Sequence, residues 1–297
     1  MNKTLIILTS GRTGSSSFVK LMEIFNFYTI NPLKINFFIE QIKKSNLKGH
    51  YEEVEVIAFN EKILHQNNLA WFSIKKVIKQ IPKNIKNDIS NYLLNLCSTN
   101  NKIILKDPRF SSTIKIWEKI FQKNNMNVEY IFLYRDPGEY VGSIKRRDGL
   151  DNQTAAGNWI SDNYEILKFL KNKKFFCFNF NEIFNEPEII VKSVKKHLNI
   201  KYNKNELNKF KNNFVNVNLI RASRELKNNC EICNELLLQI KKLKHFQEGH
   251  NLKLKRKMQI KINEMHNKQS KNILFRILKV IDKLKFKIRF IYTNHKH

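Results

Sequence analysis

Four short apolar runs constrain this chain more than any other feature. The runs "TLIIL" (residues 4–8), "KIILK" (102–106), "VEYIFLY" (128–134) and "KFFCFNF" (174–180) show no regular alternation of apolar and polar residues. A strand with one wet face alternates, whereas a strand covered on both faces does not. Each run feeds a stretch with helical spacing: Ser15 to Phe27, Ser112 to Lys123, Gly138 to Arg147 and Glu188 to Leu198. This repetition predicts an α/β fold, a parallel sheet flanked by helices. The length of 297 residues fits one large domain, or a domain with an extension.

From about Asn216 the strand signal stops and the chain turns helical and basic. The expected organisation is a domain over 1–215 followed by a basic helical C-terminal extension over 216–297. Residues 251–297 hold 14 Lys and Arg against Glu264 and Asp282. In "KNILFRILKVIDKLKFKIRFIY" the residues Ile273, Ile277, Val280, Ile281, Leu284, Ile288 and Ile291 recur at helical spacing with lysines between them. Such a basic amphipathic helix either lies on an anionic membrane surface or meets a partner, or it packs back on the domain with a solvated lysine face.

The formal net charge of +28 raises the question of nucleic acid. The basic set is 44 lysines to ten arginines, with Asn and Ile also abundant, which AT-rich coding produces without selection for a partner. No specific nucleic-acid partner is expected, and most of the lysine reads as solvated surface. Arginine is more telling, because Arg12, Arg109, Arg135, Arg146 and Arg147 fall in three short segments. A rigid bidentate donor clustered in this way suggests anion sites. The cysteines Cys97, Cys177, Cys230 and Cys233 show no framework spacing, and the lone C-x-x-C has no second pair, so reduced thiols are expected. No signal-peptide pattern precedes the opening strand and no apolar run reaches ~18 residues, which points to a cytoplasmic setting.

The first strand runs into "SGRTGSS". A strand, a tight glycine turn and a helix beginning in serines make an anion site, because the helix's unpaired N–H groups and positive dipole end face the turn. Gly11 and Gly14 let the backbone approach a ligand, and Ser15, Ser16 and Ser17 add hydroxyls. The loop departs from G-x-x-x-x-G-K-[ST]: no lysine holds the expected place, and Arg12 comes early. In "VEYIFLYRDPGEYVGSIKRRDGL" a strand delivers Arg135 at its carboxyl end. Ser143 and Arg147 follow one helical turn apart, so both can face one anion with Arg135. "KIILKDPR" presents Lys106, Asp107 and Arg109 at the same rim.

On these residues the sequence resembles the sulfotransferases that use 3′-phosphoadenylyl sulfate, nearest their bacterial and Golgi-type carbohydrate and tyrosylprotein branches. "SGRTGSS" is similar to that family's 5′-phosphosulfate loop, and "YRDPGEYVGSIKRR" to its 3′-phosphate motif of Arg, then Ser, then Arg. "LKDPRF" resembles its K-D-P segment, "GHYEEVEVIAFNEKIL" the G-x-[WY]-E helix of bacterial members, and "RRDGLDNQTAAGNW" a further stretch ending in Trp159. The resemblance runs over residues 3–200 in the family's order. Gly11 stands where the family usually has Pro, "KDPR" has no His, and the C-terminal third matches nothing, which leaves the acceptor open.

The resemblance implies a P-loop-NTPase-like sheet and 3′-phosphoadenylyl sulfate as co-substrate, with adenosine 3′,5′-bisphosphate as product and no metal requirement. The donor would be held by Gly11, Arg12, Thr13, Gly14, Ser15, Ser16, Arg135, Ser143 and Arg147. Catalysis would rest on Glu52 as base, with Glu53 and His50 as adjacent alternatives, and on Lys106 and Arg12 for charge stabilisation. The acceptor would be a hydroxyl on a carbohydrate or glycolipid, such as a bacterial surface polysaccharide. The location would be cytoplasmic, peripheral at the inner membrane face if the tail helix meets lipid. Two other classes stay open: a P-loop-type nucleotide kinase or hydrolase, and a non-enzymatic basic protein that binds membrane or nucleic acid.

Overall fold

In the computed structural model, which describes residues 2–29, 51–79, 81–214, 230–254 and 256–294 (side chains excepted at 213–214 and 287–294), the four apolar runs are strands of one sheet. They are β1 (Lys3–Thr9), β2 (Lys102–Lys106), β3 (Val128–Tyr134) and β4 (Lys174–Asn179), all parallel. A short β5 (Phe246–Glu248) pairs antiparallel with β4, and the order across the sheet is β2-β1-β3-β4-β5.

Helices cover both faces. α1 (Ser15–Met22) follows β1 and tightens into a 3₁₀ turn over Glu23–Phe25. α2 (Val54–Gln66) and α3 (Lys83–Thr99) precede β2, and α4 (Phe110–Lys123) leads from β2 to β3. α5 (Pro137–Asp148) and α6 (Asn152–Leu170) connect β3 to β4. After β4 come α7 (Phe180–Asn185), α8 (Pro187–Leu198) and α9 (Lys204–Lys209). α10 (Glu231–Ile240) precedes β5, and α11 (Arg256–Lys271) and α12 (Ile273–Asn294) follow it.

Local chemistry sets the starts of several helices. Asp136 accepts from the Gly138 N–H, with Pro137 at the first helical position of α5; Asp151 accepts from the Thr154 N–H at α6. Asn179 and Glu182 form a reciprocal capping box that begins α7 directly at the end of β4.

The absence of alternation follows from burial on both sides. Ile6, Leu8, Tyr130, Phe132, Phe175 and Cys177 face one core, with Trp117 and Trp159. Their neighbours Leu5, Ile7, Ile131, Leu133, Phe176 and Phe178 face the other, with Phe18 and Val191.

Two sequence expectations change. The strand signal does not end at Asn216, because β5 adds to the sheet; three residues are too few to show a period. The expected boundary at 215/216 lies outside the described residues, and beyond it α10 and α11 put Leu236, Ile240, Met258 and Ile262 into the same core as Ile6 and Phe132. Cys230 and Cys233 are joined in a disulfide rather than standing as thiols, since the C-x-x-C spacing at the start of α10 brings their Cα atoms to 5.2 Å. Cys97 and Cys177 are free. Among the described residues no helix is long and apolar enough to cross a membrane.

Because α10 and α11 share the sheet's core, Leu236→Ala and Ile262→Ala should each lower global stability by about 2–5 kcal/mol, as a large-to-small change in a filled core does. Urea unfolding followed by tryptophan fluorescence checks this. The main transition itself should shift, with no separate early step.

Candidate active site

The chain leaves β1 for β2 on one side and then crosses to β3 on the other. At such a reversal the loops leaving neighbouring strands diverge and open a crevice at the carboxyl ends. Arg12, Lys106, Arg135 and Ser143, singled out in the sequence, collect at this edge.

The turn after β1 has an unusual backbone. Gly11, Arg12 and Gly14 all have positive φ (77°, 49° and 72°), and Thr9 and Thr13 tie its two ends through a hydroxyl–hydroxyl hydrogen bond. A Cβ on Gly14 would stand 2.9 Å from the Phe180 ring, so glycine is required there both by φ and by space. Gly11 abuts Pro108, which brings the exit of β2 against the same turn.

Three distant segments meet on this turn. Arg12 Nε donates to Ser143 Oγ at 2.9 Å. Arg135 Nη1 donates to the Arg12 carbonyl at 2.9 Å and its Nε to Glu139 Oε2 at 3.1 Å, while its guanidinium lies 3.7 Å from the centre of the Phe180 ring. Trp159 Nε1 donates to the Arg135 carbonyl at 3.0 Å and so fixes the backbone from which that arginine projects. Arg147, one turn beyond Ser143, binds Asp148 through Nε and Nη2 and lies 5.9 Å from the Trp71 ring.

The electrostatics are those of a site short of negative charge. Burial, followed by the proximity of Arg147, Arg135 and Arg146, pushes the Arg12 guanidinium down to about 10, with Asp148 opposing. Burial also lowers Arg135, in spite of Glu139. Holding these cations together disfavours their charged forms, and a bound anion of two or more charges relieves that cost. The residues present therefore fit a phosphate-bearing ligand.

At the end of β2, buried Lys106 bonds to Glu52, two residues before α2. Asp107 is fully buried and accepts from Asn60 Nδ2 (2.9 Å) and from the backbone and Nη1 of Arg109 (2.9 and 3.0 Å). Arg109 Nη2 reaches Glu61 Oε1 at 2.5 Å. Burial opposes the charge on Arg109, but Asp107, Glu61 and Glu52 outweigh it and raise its pKa. Asn60 Oδ1 accepts from Thr113 Oγ1 and Trp117 Nε1, which clamps α2 to α4. Asp107 and Arg109 thus form the braced wall of the site.

The two adjacent glutamates point to different environments. Glu52 meets Lys106, whereas Glu53 is buried near Tyr92 and Glu55. His50 lies outside the described residues.

Two solved sulfotransferase domains are similar to the chain in structure. The domain from the Synechococcus PCC 7002 olefin synthase matches with a TM-score of 0.46 and 16% identity, over 92% of this chain and 96% of that one. The domain from the curacin biosynthetic pathway matches with a TM-score of 0.43 and 15% identity, over 89% and 98% respectively. No family profile matches the sequence, and no curated protein does.

Two side chains at the site are absent from the sequence-level assignment. Phe180 supplies the ring under Arg135; the Asn179–Glu182 capping pattern, read as a helix start at the strand's end, would have placed it at the rim. Trp71 sits in "NNLAWFSIKK", which has no period to assign it a face.

Glu53 gives a pH signature. Burial, then Glu55, raises its carboxyl from the usual 4.5 to about 7, with Tyr92 opposing. Between these values the native state keeps a proton that the unfolded chain releases, so stability falls as pH rises through 7. Glu53→Gln should be more stable than the parent by on the order of 2 kcal/mol at about pH 8 and equal to it at about pH 4. Thermal melting at the two pH values checks the crossover.

Proposed function

We propose that this protein is a sulfotransferase that moves a sulfuryl group from 3′-phosphoadenylyl sulfate to an acceptor hydroxyl. The observation that carries the reading is the meeting of Arg12, Arg135 and Ser143 on one glycine turn, with the Arg147 charge close enough to lower Arg12, beside the Lys106–Glu52 pair. One cluster suits a ligand with phosphates at two positions. The other pairs a cation with a base at the adjacent strand end.

In this reading the turn after β1, with Thr13, Ser15, Ser16 and Arg12, holds the phosphosulfate end of the donor, and Arg135, Ser143 and Arg147 hold the 3′-phosphate. Glu52 takes the proton of the acceptor hydroxyl as the new O–S bond forms. Lys106 stabilises the charge left on the donor's phosphate as the bridging S–O bond breaks. Transfer between two oxygens in line demands positioning and charge stabilisation more than covalent help, and a braced wall of Asp107, Arg109 and Asn60 supplies rigidity. Carbohydrate or glycolipid is the acceptor class we propose, on the resemblance of the "GHYEE" and "GNW" stretches to bacterial carbohydrate members.

Donor binding is tested by ligand-induced melting. Adenosine 3′,5′-bisphosphate should raise the melting temperature in the absence of metal; stabilisation by ATP with Mg²⁺ alone would favour a kinase or hydrolase instead. Arg147→Ala should weaken adenosine 3′,5′-bisphosphate about 10- to 100-fold and leave adenosine 5′-monophosphate unaffected, since only the first carries the 3′-phosphate. Equal weakening of both would remove Arg147 from that role.

Glu52→Gln should lower sulfate transfer about 10²- to 10⁴-fold while preserving nucleotide affinity. The assay is labelled-sulfate transfer to fractionated polysaccharide and glycolipid. Full activity in this variant would exclude Glu52 as the base.

A further inference from the structure

The segment that the function above does not use is α12, and its two sides have opposite characters. One side is fastened to the domain. Phe275 packs edge-on against Phe72 at 5.5 Å, Lys279 Nζ donates to the Asn68 carbonyl at 3.1 Å, Asp282 bonds to His65 Nε2 at 3.1 Å, and Phe286 packs on the His65 ring at 5.0 Å. These four residues recur at helical spacing and define the inner face.

At 100° per residue, Ile273, Ile277, Val280 and Leu284 fall on the opposite side. They are 72%, 50%, 57% and 53% exposed, and Leu274 and Ile281 widen the stripe. An apolar ridge on the side of a helix turned away from its own domain is the reverse of ordinary packing. Arg276 and Lys283 border it along one edge and Lys285 along the other, all three exposed. Asp282, the helix's one acidic residue, is turned inward onto His65. Crowding by Lys283 and Arg276 adds to burial in lowering the Lys279 pKa.

We propose that the outer face of α12 is a surface for docking on an anionic lipid bilayer, with the Ile273–Leu284 ridge at acyl-chain depth and the flanking Arg276, Lys283 and Lys285 at the phosphates. Charge decides between occupants. A second copy meeting this ridge face to face would bring like-charged rows together with no outward acid on the helix to offset them, whereas lipid phosphates suit both edges. The His65–Asp282 and Phe72–Phe275 contacts hold the helix against the domain, so the ridge is presented rather than trailing. This inference is independent of the sulfotransferase reading and does not use its residues.

The test is co-sedimentation of the full chain with phosphatidylcholine vesicles, with and without phosphatidylglycerol. The protein should pellet with the anionic vesicles only and be released by salt, because the screening length shrinks to about 3 Å at about 1 M. Ile277→Ser combined with Leu284→Ser should abolish pelleting at an unchanged melting temperature. Lys283→Gln and Lys285→Gln should each weaken partition about five-fold. Three results would overturn the proposal: wild-type protein that stays in the supernatant, a serine double variant that melts markedly lower, or light scattering that shows a wild-type dimer abolished by the serine pair. The last would assign the ridge to a second copy.

Discussion

A sheet buried on both faces leaves its strands no wet side on which to carry chemistry. Every side chain of β1 from Leu5 to Leu8 is out of water, and the same holds for the centre of β3 and most of β4. Polar groups can then enter only where strands end, and the reversal between β2, β1 and β3 keeps those ends from being closed over by a single loop. The placement of Arg12, Lys106 and Arg135 follows from this constraint. Each is within three residues of the last position of its strand.

Concentrating cations at one edge carries a cost that the surrounding structure offsets. Arg135 has an aromatic ring below it, a carboxylate beside it and a carbonyl in front, and its own backbone is bonded to Trp159. Arg12 loses basicity through burial and then through the Arg147 charge beside it. The β2 end pairs its charges internally, with Asp107, Glu61 and Glu52 set against Arg109 and Lys106. The two halves of the edge therefore differ in kind, one rich in arginine and one in which each cation is paired with carboxylate.

How much of this was legible in the sequence depends on the range of the signal. The strands, the helices that follow them and the first turn were readable because each is written within a few residues: an unalternated run, a proline or aspartate at a helix start, two glycines in four residues. The pairing of Arg12 with Ser143 was not readable, since nothing local specifies which anion motifs converge, although the order of strand ends made the convergence expected. The core shared by the tail was not readable for a related reason. Leu236, Ile240, Met258 and Ile262 are apolar positions in helices rich in lysine, and their common core with Ile6 exists only once β5 has brought the chain back to β4.

The position of Phe180 links two demands that cannot be separated. Its ring fills the space a side chain at residue 14 would occupy, and the same ring supports the Arg135 guanidinium. Trimming residue 180 to admit a bulkier residue at 14 would remove the platform under the arginine and would still leave position 14 in the left-handed region, where a Cβ is strained. No compensating pair of substitutions restores both, so positions 14, 135 and 180 behave as one mutational unit in which a change at any member lowers the tolerance of the other two.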